Sequence, residues 1–318
     1  MRIFTAGLPA ARWSDDPLLA ALGPRTAVIY SFRGDVAAAA AGAYDDRLRH
    51  FLAGKPTDVT AWVVFHHEPE DEIALGAFTA EQFRAATGHL APIIRAAGAI
   101  PTTVLMQWTL HPESGRHWRD YYSPDIDLLG WDAYNHGRLA ATPQYSNPDT
   151  IIDPVLDVAR QTGKPFGWAE FGSPCLDHDP DCTGRAGWLT AFGTAARTAG
   201  AAFAAYWNQT RGVDFRLTDP ASTAAYRQLS PSGGEPRLGV RGGPRAARQR
   251  IGGPWSSCWL CVFACSSPAR PGWAGPEQFE RPSDFLSAAM REHVPDKVGR
   301  TGMRQGRLAW RPTRLTGC

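Results

Sequence analysis

Short apolar runs alternate with longer segments of helical spacing along the first 229 residues. Each apolar run is four to seven residues long, which is the usual length of a buried strand. Polar or aromatic residues follow most of these runs. We predict strands at residues 2–5, 26–32, 61–65, 100–106, 126–131, 165–169 and 201–206. We predict helices at residues 44–52, 79–97, 149–162, 186–198 and 220–229.

This alternation of strands and helices predicts a parallel sheet. The polar residues at the strand ends favour a closed barrel over an open, doubly wound sheet, because barrel enzymes carry their chemistry at that rim. No Gly-rich phosphate loop follows any of the strands, so a dinucleotide-binding fold lacks its fingerprint. We therefore predict an α/β chain in which residues 1–229 form a (β/α)8 TIM-type barrel.

Two of the predicted strands run directly into a glutamate. The strand at 61–65 is followed by a His-His-Glu-Pro corner that contains Glu68, and the strand at 165–169 by Glu-Phe-Gly, which begins at Glu170. A retaining glycosidase needs two such carboxyl groups, roughly 5–5.5 Å apart. One is protonated and assists the leaving oxygen, and the other is ionised and attacks the anomeric carbon. The two strand ends therefore indicate cleavage of a glycosidic bond.

Glu68 is the better candidate for the acid. It follows an apolar strand and stands between His67 and Pro69, where partial burial raises the pKa of a carboxyl group. Glu170 is then the better candidate for the nucleophile. Tyr134, at the end of the preceding strand, can donate a hydrogen bond that keeps Glu170 ionised and oriented.

Aromatic residues at neighbouring strand ends are candidates for binding a sugar. Trp207 follows the last strand and can stack on a sugar face, and Trp108 offers a further stacking surface. We include His67, which precedes the candidate acid, among the substrate-binding residues. Ordinary packing at the barrel mouth is the alternative for Tyr134 and Trp207. Trp131 follows an apolar strand and is expected in the core.

Other polar residues near the two corners have simpler interpretations. We expect His66 to be a packed, hydrogen-bonded histidine and Glu70 to be a solvated neighbour. Asp132 can cap a loop or accept a hydrogen bond at the barrel mouth. Adjacent histidines on a strand point to opposite faces, so His66 and His67 do not suit a shared metal ion. We predict no metal and no cofactor.

Charge is distributed unevenly along the chain. Residues 231–318 hold 14 of the 33 Lys and Arg residues and 6 of the 31 Asp and Glu residues, so they carry +8 and residues 1–230 carry −6. The mildly acidic body argues against nucleic acid as a partner. No apolar run reaches the roughly 18–20 residues of a membrane span, and no apolar segment of a signal peptide follows Arg2. We expect a monomer that binds neither nucleic acid nor membrane.

The composition changes at about residue 230. Residues 231–318 contain 13 Arg and one Lys, and apolar periodicity mostly vanishes. We treat residues 230–318 as a separate, largely irregular Arg/Gly/Pro-rich tail. Three interpretations stay open: a basic segment that binds an anionic surface, a disordered extension, or translation of GC-rich DNA in the wrong frame.

The chain contains six cysteines. Cys175 and Cys182 bracket a short polar loop and can form a disulfide in an oxidising compartment. Two free thiols are the alternative. Cys258 and Cys261, in the tail, are a weak zinc signal because no second ligand pair follows them.

The two corners, together with the segment around Tyr134, resemble a known group of enzymes. The chain resembles the retaining (β/α)8 glycoside hydrolases, and most of all glycoside hydrolase family 26, the β-mannanase family. The resemblance covers roughly residues 1–229. It rests on His67-Glu68, on Asp132-Ala133-Tyr134-Asn135 and on Ala169-Glu170-Phe171-Gly172.

The resemblance implies that Glu68 is the acid/base, Glu170 the nucleophile, Tyr134 its hydrogen-bond partner and Trp207 a platform at the cleaved sugar. It also implies an extracellular location. We therefore expect a retaining endo-β-glycanase, with β-mannan as the first candidate substrate. One alternative is a β-1,3-xylanase or β-glucanase on the same barrel. Another is a non-catalytic carbohydrate-binding barrel or a gene remnant.

A full barrel has eight strands, one more than the pattern provides. If Glu68 and Glu170 follow the fourth and seventh strands, the run at 2–5 is the second strand. We therefore expect the first barrel strand to be missing. Either the start of the chain is truncated, or a strand between Phe32 and Ala61 has been lost or is not recognisable from the pattern.

Overall fold

A computed structural model gives the fold of residues 1–23 and 26–229, and the structure describes these two ranges only. The predicted tail at 230–318 lies outside the described residues, as do four of the six cysteines. The tail and the boundary before it therefore stay predictions.

Seven strands form one parallel sheet whose spatial order follows the chain order. The sheet curves into a nearly closed TIM-type barrel, which confirms the predicted fold class. The first and seventh strands are the two edges of this sheet. Within the described residues no eighth strand joins these two edges to close the barrel. The strands are β1 (Arg2–Phe4), β2 (Ala27–Phe32), β3 (Thr60–Phe65), β4 (Ile100–Met106), β5 (Leu128–Tyr134), β6 (Phe166–Gly172) and β7 (Ala204–Tyr206).

The helices include all five that the apolar spacing predicts and three short ones that it does not. The short ones span only four to six residues, too few to show a helical period. None of the described helices combines the length and apolar character needed to cross a membrane. The helices are α1 (Pro17–Ala20), α2 (Val36–Ala40), α3 (Asp45–Ala53), α4 (Pro69–Ala74), α5 (Ala80–Ala96), α6 (Asp149–Thr162), α7 (Thr183–Thr198) and α8 (Pro220–Leu229).

Strands β5 and β6 extend further than the sequence predicts. The predicted ends at residues 131 and 169 lie inside the observed strands, because the ladder between them continues to the pair formed by Tyr134 and Gly172. The register shifts after Trp131, at a bulge or irregularity. Asp132, Tyr134 and Glu170 therefore belong to the strands themselves, where the backbone ladder fixes their positions.

Side chains alternate between the barrel interior and the layer between sheet and helices. In β3, Trp62 and Val64 pack in the interior, whereas Val63 and Phe65 pack against the helices. This is the two-residue period of a strand. The interior is tightly filled, and a Cβ atom on Gly167 would come within 2.8 Å of an interior phenylalanine ring. Each large apolar side chain buried here contributes about 1.5–3 kcal/mol.

A disulfide joins Cys175 and Cys182 in the loop after β6, as the sequence pattern suggested. Their Cα atoms lie 5.3 Å apart. Within the loop, the Asp179 carboxylate accepts hydrogen bonds from the backbone N–H groups of Gly184 at 3.1 Å and Arg185 at 3.0 Å. Because these donors lie in the first turn of α7, the loop ties the end of β6 to that helix.

We predict that replacing both Cys175 and Cys182 by serine lowers the free energy of unfolding by about 2–3 kcal/mol, because the bridge restricts the unfolded chain. Urea denaturation of the full chain and of the double variant measures the difference. Adding reductant to the double variant is the control for the remaining cysteines. Equal free energies of unfolding for the two proteins would contradict the prediction.

Candidate active site

The corner after β3 is a strained turn. His66 and Glu68 have φ angles of 49° and 50°, in a region that disfavours residues other than glycine. Backbone hydrogen bonds hold the corner on both sides: the His66 N–H donates to Phe32 O at 3.0 Å, and the Glu68 N–H donates to Val104 O at 3.0 Å. Pro69 then begins α4, where its fixed φ suits the first helical position. The corner thus fixes Glu68 between two strands and a helix start.

The His66 side chain supports this corner, which confirms its prediction as a packed histidine. It is buried, with Nδ1 2.8 Å from Glu72 Oε2 and Nε2 2.8 Å from Gly34 O. Arg33 Nη1 lies 2.5 Å from the other oxygen of Glu72. Burial works against the charge of Glu72, but the hydrogen bond from His66 and the Arg33 charge together lower its pKa. Both ring nitrogens of His66 are therefore engaged within the protein.

Glu170 is buried on β6 between a hydroxyl donor and a cation. The Tyr134 hydroxyl, on the neighbouring β5, donates a hydrogen bond to Glu170 Oε2. Arg2 Nε, on β1, lies 3.8 Å from Glu170 Oε1, and Arg2 Nη2 lies 3.9 Å from Asp132 Oδ2. The hydrogen bond from Tyr134 and the Arg2 charge both stabilise negative charge on Glu170.

Glu68 and Glu170 interact electrostatically. Burial, followed by the negative charge of Glu170, raises the pKa of Glu68 to about 8. The charges of Glu70 and Asp71 act in the same direction, and Arg2 opposes them. Glu68 therefore keeps its proton at neutral pH, as a general acid must.

Two further groups on β5 respond to the same charges. Burial and then Glu170 raise the pKa of Asp132 well above its ordinary value, while Arg2 opposes this shift. Burial and Glu170 also raise the pKa of Tyr134. The phenol consequently stays protonated and remains a hydrogen-bond donor to Glu170.

Three side chains, those of Phe4, His67 and Trp207, form an aromatic wall, and His67 directly precedes Glu68 in the sequence. The Phe4 ring centroid lies 4.8 Å from that of His67 and 6.1 Å from that of Trp207, edge to face in both cases. The Arg2 guanidinium lies 4.4 Å from the Phe4 centroid. Phe4 is 36% exposed, and His67 and Trp207 are partly exposed, so the wall presents aromatic surface to solvent.

Trp108 lies on the 3-10 turn Gln107–Leu110, which directly follows β4. Its ring stacks on His111, with centroids 4.5 Å apart and planes inclined by 12°. Trp131 and Trp168 are fully buried in the core, as expected for Trp131. The sugar-binding roles of Trp108, His67 and Trp207 stay predictions.

The expectation that Glu70 is solvated was wrong. Glu70 is 0% exposed, and its Oε1 accepts hydrogen bonds from the Met106 N–H and the Thr109 hydroxyl, both at 2.8 Å. The reason is α4, which begins at Pro69 and directs this glutamate inward. Asp132 caps no loop, because it lies within β5.

Arg2 and Phe4 were missed as site residues by the sequence reasoning. A signal was present, since alternation along β1 places Arg2 and Phe4 on one face and Ile3 on the other. Two of the predicted strands run into a glutamate, so a cation on the same face of the barrel has an electrostatic role. Its partners, however, lie on strands more than a hundred residues away in the sequence.

No family model matches the sequence, and no curated protein matches it. Solved structures are similar in fold. An active-site mutant of the Rhizomucor miehei β-1,3-glucanosyltransferase in complex with laminaritriose is 14% identical, with a TM-score of 0.49, over 70% of this chain and 82% of that one. The endo-1,4-β-D-mannanase of Thermotoga petrophila is 11% identical, with a TM-score of 0.43, over 64% and 74%.

The endo-β-1,4-glucanase of Xanthomonas axonopodis pv. citri is 10% identical, with a TM-score of 0.43, over 64% of this chain and 73% of that one. All three TM-scores lie below 0.5, so no activity or substrate is transferred to this chain from these proteins. The resemblance to family 26 stays a prediction.

We predict that Glu170→Gln lowers the pKa of Glu68 from its value of about 8, because it removes the negative charge that raises this pKa most. Titration of ¹³C-labelled glutamate carboxyl groups by NMR measures this pKa, with Glu68→Gln to assign the signal. Glu81→Gln, at an exposed position of α5, is the matched control. An unchanged Glu68 titration in Glu170→Gln would contradict the electrostatic contact.

Proposed function

We propose that this chain is a retaining endo-β-glycanase that hydrolyses a β-linked polysaccharide through Glu68 and Glu170. The observation that carries the proposal is the contrast between the two carboxyl groups. Glu68 has a pKa of about 8 and is protonated at neutral pH, whereas Glu170 accepts a hydrogen bond from Tyr134 and lies beside Arg2. Two interacting carboxyl groups with opposite surroundings are the arrangement that acid-assisted nucleophilic attack requires.

In the first step, a Glu170 oxygen forms a bond to the anomeric carbon as the glycosidic carbon–oxygen bond breaks. The leaving oxygen takes the proton of Glu68, so the departing sugar leaves as an alcohol. Tyr134 keeps one oxygen of Glu170 engaged and thereby limits how the carboxylate can turn. The products of this step are a glycosyl ester on Glu170 and an ionised Glu68.

In the second step, Glu68 takes a proton from water while the water oxygen attacks the anomeric carbon and Glu170 leaves. The ester of the intermediate carries no charge, so Glu170 no longer raises the pKa of Glu68 at this stage. The pKa of Glu68 is therefore lower in the intermediate than in the free enzyme, which favours the ionised form that acts as a base. The same electrostatic contact supports the acid role before the ester forms and the base role afterwards.

The aromatic wall of Phe4, His67 and Trp207 supports a carbohydrate substrate, because exposed rings pack against the apolar face of a pyranose. We take β-mannan as the first candidate polymer, with β-1,3-xylan and β-glucan as alternatives on the same barrel. We further propose that the protein acts outside the cell, since the Cys175–Cys182 bridge suits an oxidising compartment. We also propose that it acts as a monomer.

A non-catalytic carbohydrate-binding barrel, or a gene remnant, is the second candidate. The observation that favours it is the open seam of the sheet, since within the described residues no ladder joins β1 to β7. Arg2 and Phe4 lie on one side of this seam and Trp207 on the other. A seam that moved would displace the cation beside Glu170 and the aromatic wall together.

We predict that the protein releases reducing sugar from one polymer in a panel of β-mannan, β-xylan and β-glucan. Glu170→Ala and Glu68→Ala should each lower the rate by a factor of about 100 or more, because each removes a group that takes part in bond making or proton transfer. Colorimetric assay of reducing ends measures release, and circular dichroism checks that the variants fold.

Azide distinguishes the two roles. With an activated aryl glycoside, azide should restore turnover of Glu170→Ala as the α-azide and of Glu68→Ala as the β-azide, since the small anion replaces whichever carboxylate was removed. Full activity of folded Glu170→Ala without azide would refute the nucleophile assignment. Binding to insoluble glycan with no release of sugar would favour the second candidate.

A further inference from the structure

A second glutamate lies buried two residues after the proposed acid. Glu70 is 0% exposed, which is unusual for a carboxyl group, and it takes no part in the two proposed steps of the reaction. Its Oε1 accepts two hydrogen bonds of 2.8 Å, from the Met106 N–H and from the Thr109 hydroxyl. An enclosed carboxyl group with dedicated donors indicates a function beyond solubility.

These two hydrogen bonds connect the corner that carries Glu68 to the turn that carries Trp108. Glu70 lies in the first turn of α4, which begins directly after Glu68. Met106 ends β4, and Thr109 belongs to the turn Gln107–Leu110. The backbone bond from the Glu68 N–H to β4 runs in parallel with this connection. Glu70 therefore links the proposed acid to a candidate sugar platform.

Glu70 also belongs to the charged environment of Glu68. Burial raises the pKa of Glu70 to about 7, against its own backbone N–H, the Thr109 and Met106 donors and the charge of Arg116. The charge of Glu70 in turn contributes to the raised pKa of Glu68. The other charged or titratable groups that interact with this pair are Arg2, Asp71, Arg116, Tyr121, Asp132, Tyr134 and Glu170.

We propose that Glu70 is a positioning residue for the general acid: its carboxyl group joins the Glu68 corner to the Trp108 turn through the hydrogen bonds from Met106 and Thr109, and its negative charge acts on Glu68 from within that corner. This inference rests on the proposed function, because it assigns Glu70 to the same reaction. It adds a residue that does not contact the reacting atoms and that acts through Glu68.

The sign of the electrostatic contact gives the inference a direction. The negative charge of Glu70 raises the pKa of Glu68. The charge on Glu70 thus opposes the ionisation of Glu68. The acid therefore stays protonated to higher pH than it would beside a neutral neighbour, and the alkaline limit of activity moves upward.

Glu70→Gln tests this, because glutamine keeps an oxygen to accept the bonds from Met106 and Thr109 but carries no charge. We expect the pKa of Glu68, followed by ¹³C NMR, to fall in this variant. We also expect kcat/KM at pH 8 relative to pH 6 to drop by a factor of about three or more, since the alkaline limb follows the proton of Glu68. Glu81→Gln, also in the first turn of a helix, is the matched control and should leave both quantities unchanged.

A purely structural role would lower the thermal midpoint of Glu70→Gln without changing the shape of its pH profile. A folded Glu70→Gln protein in which Glu68 titrates as in the wild type overturns the inference. The NMR titration needs no turnover, so it separates the two claims. A lower Glu68 pKa in a chain that cleaves none of the polymers supports the influence of Glu70 and contradicts the proposed function instead.

Thr109→Val is the second test variant, to be used if Glu70→Gln does not fold. It removes one donor to Glu70 Oε1, so it weakens the ionised form of Glu70 and should lower the Glu68 pKa in the same direction by a smaller amount. An unchanged Glu68 pKa in Thr109→Val would overturn the inference on its own.

Discussion

The repulsion between two carboxyl groups in a buried site is the constraint on which this structure depends. Glu68 and Glu170 cannot both ionise freely, because each negative charge disfavours the other where little water screens them. The surroundings decide which of them holds the proton. Glu170 accepts a hydrogen bond from Tyr134 and faces Arg2, whereas burial and further acidic neighbours act on Glu68. Two residues of one type thus lie in opposite electrostatic surroundings because of their positions in the barrel.

The barrel supplies this asymmetry by bringing separate strands to one rim. Arg2 comes from β1, the corner of Glu68 from the end of β3, and Tyr134 and Glu170 from the adjacent strands β5 and β6. No short segment of chain could assemble these groups, but the ends of parallel strands in a barrel meet at one face. Hydrogen bonds of two buried side chains, the His66 ring and the Glu70 carboxyl group, then hold the strained corner in place.

Much of the fold and part of the site follow from local patterns. Strands and long helices were predictable from apolar periodicity, and Glu68 and Glu170 became candidate site residues because each directly follows a predicted strand. Arg2 and Phe4 were not predicted as site residues, because their contacts depend on which strands lie next to β1 across the barrel. Glu70 was misjudged because α4 is a six-residue helix with a polar sequence, and only its packing against β4 shows that one glutamate points inward. Local sequence identifies elements, whereas contacts between distant strands determine burial and charge.

The most direct test of the account is covalent trapping of the nucleophile. A 2-deoxy-2-fluoro β-glycoside with a good leaving group slows both steps but hydrolysis of the ester more, so the glycosyl-enzyme accumulates. Peptide mass spectrometry of the inactivated full chain then locates the sugar. The account predicts one fluoroglycosyl group on Glu170, and none in Glu170→Gln. A label on another carboxyl group, or turnover of the reagent with inversion at the anomeric carbon, would contradict it.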